Sequence, residues 1–293
     1  MIMSGKKCGA LARETAEVMG TPFYQIHSRD FPDGEIYVRI PADVAGVDVA
    51  LFSCMGGNPN RGLLEALLAA YALKENGARN VILAAPYLPY ARQDASFKPG
   101  EPVSIRLVAK LLEDAVSGIV TVDMHLHRFH DIKDVFGGIA AVNVSAMPLL
   151  ARYVSSRYGR MPVVAPDDEA EQWARRAAET IGSEYYVLEK ERRGDEDVEI
   201  RGRGVNANRA LIVDDIISTG GTIEGAARLL RERGVEEVYV ACTHALLVGD
   251  AEAKIFNSGV RDLISTNTVP NPYARVSVAE AVARGLSEIR REK

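Results

Sequence analysis

Short apolar runs rich in β-branched residues alternate with segments of helical periodicity, and this rhythm limits the chain to few architectures. In the first half the runs are residues 47–52 (VDVALF), 80–85 (NVILAA) and 119–122 (IVTV). They are nearly unbroken in apolar character, as strands covered on both faces are. Between them, residues 61–75 (RGLLEALLAAYALKE) and 104–113 place leucines at helical spacing. Residues 35–40 (EIYVRI) alternate polar and apolar, which predicts a half-exposed strand or hairpin arm. The second half repeats the rhythm, with strands predicted at 162–165, 185–188, 210–213 and 238–243 and helices at 169–181 and 222–233. An amphipathic helix closes the chain at 277–290. Two successive strand–helix–strand series predict an α/β fold of two doubly wound parallel-sheet domains, residues 1–145 and 146–293. The halves share the rhythm but no visible sequence repeat.

With 293 residues, 47% hydrophobic and 26% charged, the chain has the composition of a soluble globular protein. A formal charge of -5 excludes a nucleic-acid coat, because no excess of Lys and Arg is there to neutralise phosphates. Small anions stay open as substrates through a local basic loop. Cys8, Cys54 and Cys242 are far apart in sequence and form no CxxC pair, which predicts reduced, buried thiols. No apolar run approaches the ~18 residues of a membrane span, and the N-terminus lacks a sustained apolar stretch. The expectation is a cytoplasmic protein with no membrane partner.

Ligands of doubly wound sheets bind at the carboxyl ends of strands, so the loops there decide the chemistry. After the run ALIV come Asp214 and Asp215, then Ser218, Thr219, Gly220, Gly221 and Thr222, then a helix. Two carboxylates can accept hydrogen bonds from the paired hydroxyls of a ribose. The Ser-Thr-Gly-Gly-Thr turn offers hydroxyls, backbone N–H groups and a helix dipole to a phosphate. Adjacent glycines let the backbone approach without a Cβ in the way. The bland alternative, a plain helix N-cap, gives no reason for two acids after a buried strand. A Walker A loop is excluded, since no lysine follows Gly221.

The string VDDIISTGGTI resembles the phosphoribosyl-pyrophosphate (PRPP) binding motif of type I phosphoribosyltransferases and of PRPP synthetases, the ribose-phosphate diphosphokinases. The sheets would then be of the type I phosphoribosyltransferase kind. Other segments resemble PRPP synthetases alone, in their short archaeal-like form. Phe31, Asp33 and Glu35 match an F-x-D-G-E element, and the resemblance implies that they receive the adenine base. Read locally, the same PDG is an ordinary turn. Arg92 and Gln93 match P-Y-x-R-Q-D, which implies ATP contacts. Asp123 and His125 match D-x-H, which implies contact with the magnesium–nucleotide complex. His127 and His130 extend this to H-x-H-x-x-H, a spacing that fits no common zinc pattern, and are expected to be surface histidines. Asp167 matches the acid of P-D-x-G-G, implied to lie near metal and ribose, although the glycines are replaced in PDDEA.

Residues 188–193 (LEKERR) open a charged stretch that is an ordinary surface loop by composition. They resemble the catalytic flexible loop of the family, which implies catalytic roles for Lys190 and Arg192. The family implies ATP and ribose 5-phosphate as substrates, Mg2+ as cofactor, and a homo-oligomer whose ATP site lies near a subunit interface. A PRPP-consuming phosphoribosyltransferase and a non-catalytic regulatory homologue are the alternatives. The first should lack the nucleotide elements, and the second the K-x-R loop or the paired acids.

Overall fold

In the computed structural model, which describes residues 1–189, 199–201 and 205–291, the chain divides into two compact units. The first contains β1 (Ile2–Ser4), α1 (Gly9–Val18), β2 (Phe23–Gln25), β3 (His27–Asp30), β4 (Ile36–Arg39), β5 (Asp48–Phe52), α2 (Pro59–Glu75), β6 (Asn80–Ala85), α3 (Ser104–Ala115), β7 (Gly118–Val122) and β8 (Ala140–Val144). Its sheet has the order β2-β1-β5-β6-β7-β8, parallel throughout. The EIYVRI arm is β4, paired antiparallel with β3 as a separate hairpin.

The sheet buries both faces, which explains the unbroken apolar runs. Met3, Leu51, Leu83 and Ile119 pack with Leu73 of α2 and with Ile105 and Leu112 of α3. Each such buried side chain contributes about 1.5–3 kcal/mol relative to exposure.

The second unit contains α4 (Met147–Tyr158), β9 (Val163–Ala165), α5 (Glu171–Ile181), β10 (Tyr185–Glu189), β11 (Glu199–Arg201), β12 (Arg209–Ile217), α6 (Gly221–Glu232), β13 (Glu237–Ala245), α7 (Ala251–Asn257), β14 (Val260–Thr266) and β15 (Ala274–Val276). Its sheet order is β11-β10-β9-β12-β13-β14-β15, with only β11 antiparallel to its neighbour. Alternation along β12 sorts the two faces. Leu211 and Val213 join Trp173 and Ala174 of α5, whereas Ala210 and Ile212 join Ala227 and Leu230 of α6.

Three expectations need correction. The closing helix, α8 (Ala279–Arg291), belongs to the first unit together with residues 268–270, not to a second domain running to 293. The reason is that the second face of the first sheet needs more cover than the ten-residue α1 provides. Gly285 of α8 lies so close to that face that a Cβ would stand 2.8 Å from Val120 and 3.1 Å from Val144.

Second, Cys8 and Cys54 are not separate thiols but a disulfide, with Cα atoms 5.1 Å apart. They follow β1 and β5, which are adjacent and pair Ser4 with Phe52. Residues distant in sequence therefore fall side by side. Cys242 is the buried free cysteine.

Third, β12 does not stop at Val213 but continues through both acids to Ile217. The register pairs Asp214 with Cys242 and Ile216 with His244 of β13, so the acids sit on a braced strand rather than in a loop.

Among the described residues no helix is long and apolar enough to cross a membrane.

Candidate functional site

In the second unit the chemistry gathers where β12 runs into α6. Asp215 is 5% exposed and Asp214 is half-buried, its carboxylate accepting from the Asp215 N–H at 2.9 Å. Burial pushes the Asp214 pKa well above the usual carboxylate range, and the charges of Asp215 and Asp167 push it further. Asp167, expected from the PDDEA turn, is thus close enough for Asp214 to feel its charge. Burial, and then the charges of Asp214 and Asp215, raise the Cys242 thiol as well. This end of the strand is a place where a cation or a hydrogen-bond donor is favoured.

The loop from Ser218 to Gly220 then turns into α6. Gly220 has φ +79°, and a Cβ there would stand 3.0 Å from the Ala251 carbonyl oxygen and 3.3 Å from Ile255. Only glycine takes this conformation without strain in so tight a space. No side chain caps α6, which leaves its first N–H groups to an anion. The segment after β13 holds the turn from behind: the Leu246 and Leu247 amides donate to the Ile217 carbonyl, and Val248 donates to Ser218. Thr219 and Gly221 are exposed, Ser218 and Thr222 half-buried. Asp167 caps the short turn that follows it by accepting from Ala170 N at 3.2 Å. The missing glycines of PDDEA are therefore replaced by a self-capped 3-10 turn.

In the first unit, Phe31, Asp33 and Glu35 form the tip of the β3–β4 hairpin. Phe31 N–H donates to the Glu35 carbonyl at 2.8 Å, and Asp33 accepts from Glu35 N at 3.1 Å. The local turn reading and the resemblance thus apply to the same residues. Phe31 is 38% exposed, edge-on to Tyr37 at 6.0 Å, with the Arg29 guanidinium 4.5 Å from its ring. An aromatic face held in place by a cation and a second ring is suited to stacking a planar base.

Arg92 is exposed, and Gln93 accepts from the Ser104 hydroxyl at the start of α3. Asp123 is buried at φ +38°, and His125 is half-buried beside His127 at 6.4 Å. His127 and His130 are exposed. Tyr90, Asp123 and Leu247 are the non-glycine residues with positive φ among those described, and all three lie past the carboxyl ends of β6, β7 and β13. Such strain persists where surrounding structure enforces it, commonly at functional loops. Lys190 and Arg192 lie outside the described residues.

The sequence reading missed the supports of these loops. Asp94, whose carboxylate is 0% exposed, accepts from Arg128 Nη1 at 2.7 Å and from Arg128 N at 3.2 Å. The Arg128 guanidinium also lies 5.0 Å from the Phe97 ring, so one residue holds the loop carrying Arg92 and Gln93 against the loop carrying His125. Asn143 accepts from Thr121 Oγ1 and Met124 N, fixing the backbone on both sides of Asp123. Asp94 ends the recognised P-Y-x-R-Q-D string, but nothing in the string points to Arg128. Arg128→Leu is expected to cost about 2 kcal/mol, less than the ~3–5 of a fully buried pair because Arg128 is 44% exposed. Adding Asp94→Asn should restore part of the loss by removing the stranded charge. Urea unfolding measures both, and an unchanged midpoint in Arg128→Leu would refute this role.

Among the described residues no three His, Cys, Asp or Glu side chains form a group that could hold a metal ion. The donors at β12 are carboxylate oxygens, which suit a hard cation held by one or two acids plus substrate phosphates and water.

Residues 1–115 match the N-terminal domain of ribose phosphate pyrophosphokinase, and residues 167–287 match the phosphoribosyl synthetase-associated domain. The ribose-phosphate pyrophosphokinase of Methanopyrus kandleri is 40% identical over 95% of this chain and 96% of its own. Ribose-phosphate pyrophosphokinase 1 of Archaeoglobus fulgidus is 39% identical over 98% of this chain and 100% of its own. The crystal structure of phosphoribosylpyrophosphate synthetase from Mycobacterium smegmatis superposes with a TM-score of 0.88 at 32% identity, covering 100% of this chain and 99% of that one. Near-complete coverage in both sequence and structure makes this chain a member of the ribose-phosphate pyrophosphokinase family.

Proposed function

We propose that the protein transfers the diphosphoryl group of Mg-ATP to the anomeric hydroxyl of ribose 5-phosphate, giving PRPP and AMP for nucleotide biosynthesis. The observation that carries this reading is the end of β12, where paired acids run directly into the uncapped, glycine-turned start of α6.

Residues 218–222 hold the 5-phosphate through backbone N–H groups and hydroxyls. Asp214 and Asp215 accept from the ribose hydroxyls and fix the sugar so that its anomeric oxygen meets the β-phosphorus in line. Phe31, Asp33, Glu35, Arg92 and Gln93 seat the nucleotide. Lys190 and Arg192 meet the charge on the migrating group, an ammonium and a fork-shaped guanidinium being suited to phosphoryl oxygens. Mg2+, when bound, neutralises phosphate charge. Asp167, whose charge reaches Asp214, would hold it on the ribose side, with Asp123 and His125 serving the nucleotide side. No covalent intermediate is needed, because positioning and charge neutralisation suffice for phosphoryl transfer. The protein acts in the cytoplasm as a homo-oligomer, with the hairpin of Phe31 near a subunit interface.

Incubation with Mg-ATP and ribose 5-phosphate should yield AMP and PRPP in equal amounts. ADP in place of AMP, or PRPP consumed when a nucleobase is added, would overturn the assignment. No turnover at all would favour a regulatory homologue.

A further inference from the structure

We infer that the first unit carries a second anion site, built from the same two loops that frame the phosphate site of the second unit. The sheets are wired alike. Setting aside the hairpin β3–β4 and the edge strand β11, each unit has its second strand beside its first, followed by the third to the sixth in order. β1 thus corresponds to β9 and β5 to β12, while α2, which follows β5, corresponds to α6. The turn carrying Asp167 has its counterpart in residues 5–8, and the phosphate loop has its counterpart in residues 53–58.

Those counterpart loops border a cavity of ≈ 260 Å³, lined by Lys6, Lys7, Ser28, Arg61 and Glu65 among others. Cys8 and Cys54 both line it, and their disulfide joins the two loops. The charge on this lining is the reverse of that at β12: three cations face one carboxylate, in place of three aspartates. Arg61 also pairs with Asp30 at 2.9 Å and with Glu65 at 3.8 Å. The Asp30 contact is made by Nη1 itself, whereas the Ser28 hydroxyl is buried without any hydrogen-bond partner. A buried donor left unmet is costly, and an oxyanion in the cavity would accept from the Ser28 hydroxyl and share the Arg61 guanidinium with Asp30.

The helix contributes less here than in the second unit. Pro59 at the start of α2 has no N–H, and Asn58 caps Arg61 N at 3.2 Å. Side-chain cations therefore supply the attraction, with Lys6 exposed at the rim and Lys7 anchored on the Gly56 carbonyl. The volume, just below the ~300–1,000 Å³ of sites that enclose drug-sized ligands, suits a small phosphate-bearing anion, the size of diphosphate or a pentose phosphate.

The test is lysine footprinting of the intact protein with an amine-acylating reagent, read by peptide mass spectrometry. Inorganic phosphate, inorganic diphosphate and ribose 5-phosphate are compared with sodium chloride at equal ionic strength. At least one of the three should slow acylation of Lys6, by about 10-fold at ten times its Kd, while exposed Lys110 reacts unchanged. Arg61→Gln and Ser28→Ala should each weaken the protection. Lack of protection of Lys6 by all three anions would overturn the site, as would protection undiminished in both variants. Because the readout is local to Lys6, a protein that made no PRPP could still pass this test, and an active one could fail it.

Discussion

Replacing Lys190 with alanine is expected to lower kcat by about 10²–10³-fold while leaving both KM values within a few-fold, because in the proposed reaction its contact strengthens as charge moves with the diphosphoryl group. The expectation comes from the sequence LEKERR and its resemblance to the flexible loop of the family. If the segment acts as that resemblance implies, its cations are worth most when the reaction is under way, because exclusion of water from the phosphorus strengthens each charge contact. Steady-state kinetics with AMP and PRPP measured together separates the two parameters. If the deficit lay entirely in KM, Lys190 would be a binding residue and the catalytic role would fail.

Gly220→Ala produces the second large effect, this time in affinity for the sugar phosphate. An alanine at φ +79° costs about 1–2 kcal/mol, and its Cβ would also press on the Ala251 carbonyl oxygen at 3.0 Å. Relief requires the turn or α7 to move, which shifts the N–H groups meant for the phosphate. The KM for ribose 5-phosphate should rise by about 10-fold or more, at ~1.4 kcal/mol for each tenfold, with the KM for ATP little altered. Gly221→Ala is the companion measurement. Its Cβ meets nothing within 4 Å, and it begins α6 with ordinary backbone. Stability should be unchanged or slightly raised, while the KM for ribose 5-phosphate rises because the methyl occupies the space of the anion. If Gly221→Ala left that KM unchanged, the phosphate would have to bind elsewhere.

The architecture was legible because parallel strands buried on two faces leave unbroken apolar runs. Seven of the eight strands read in the sequence lie within two residues of their observed ends, whereas β1, β2, β3, β8, β11, β14 and β15 were not read. The extension of β12 was not legible. Two acids followed by a Gly-rich turn look like the end of a strand, yet the ladder to β13 pairs Asp214 with Cys242 and keeps going. Local sequence carries no sign of that long-range pairing. The disulfide was missed for a related reason, since 46 residues separate Cys8 from Cys54 and only the adjacency of β1 and β5 joins them.

At the site, residues recognisable as short strings were found, and their supports were not. Phe31, Arg92, His125 and Asp214 stand in such strings. Arg128 and Asn143 act through contacts with residues 34 and 19–22 positions away, and the chain says nothing of those contacts until it is folded. The Asp167 turn was legible only as a departure from a pattern. Its replacement by a capped 3-10 turn depended on backbone geometry.

The return of α8 to the first unit bears on how the protein is made. A ribosome releases the strands of that unit first, but the helix that covers their second face ends at Arg291. From Ser145 to Arg291 is 291 − 145 = 146 residues, or about 7–30 s of synthesis at ~5–20 residues per second. Throughout that interval Val120, Val142 and Val144 lack the Gly285 contact. The first half of the chain to emerge is thus among the last parts to finish folding, and it waits with an apolar face open to chaperones.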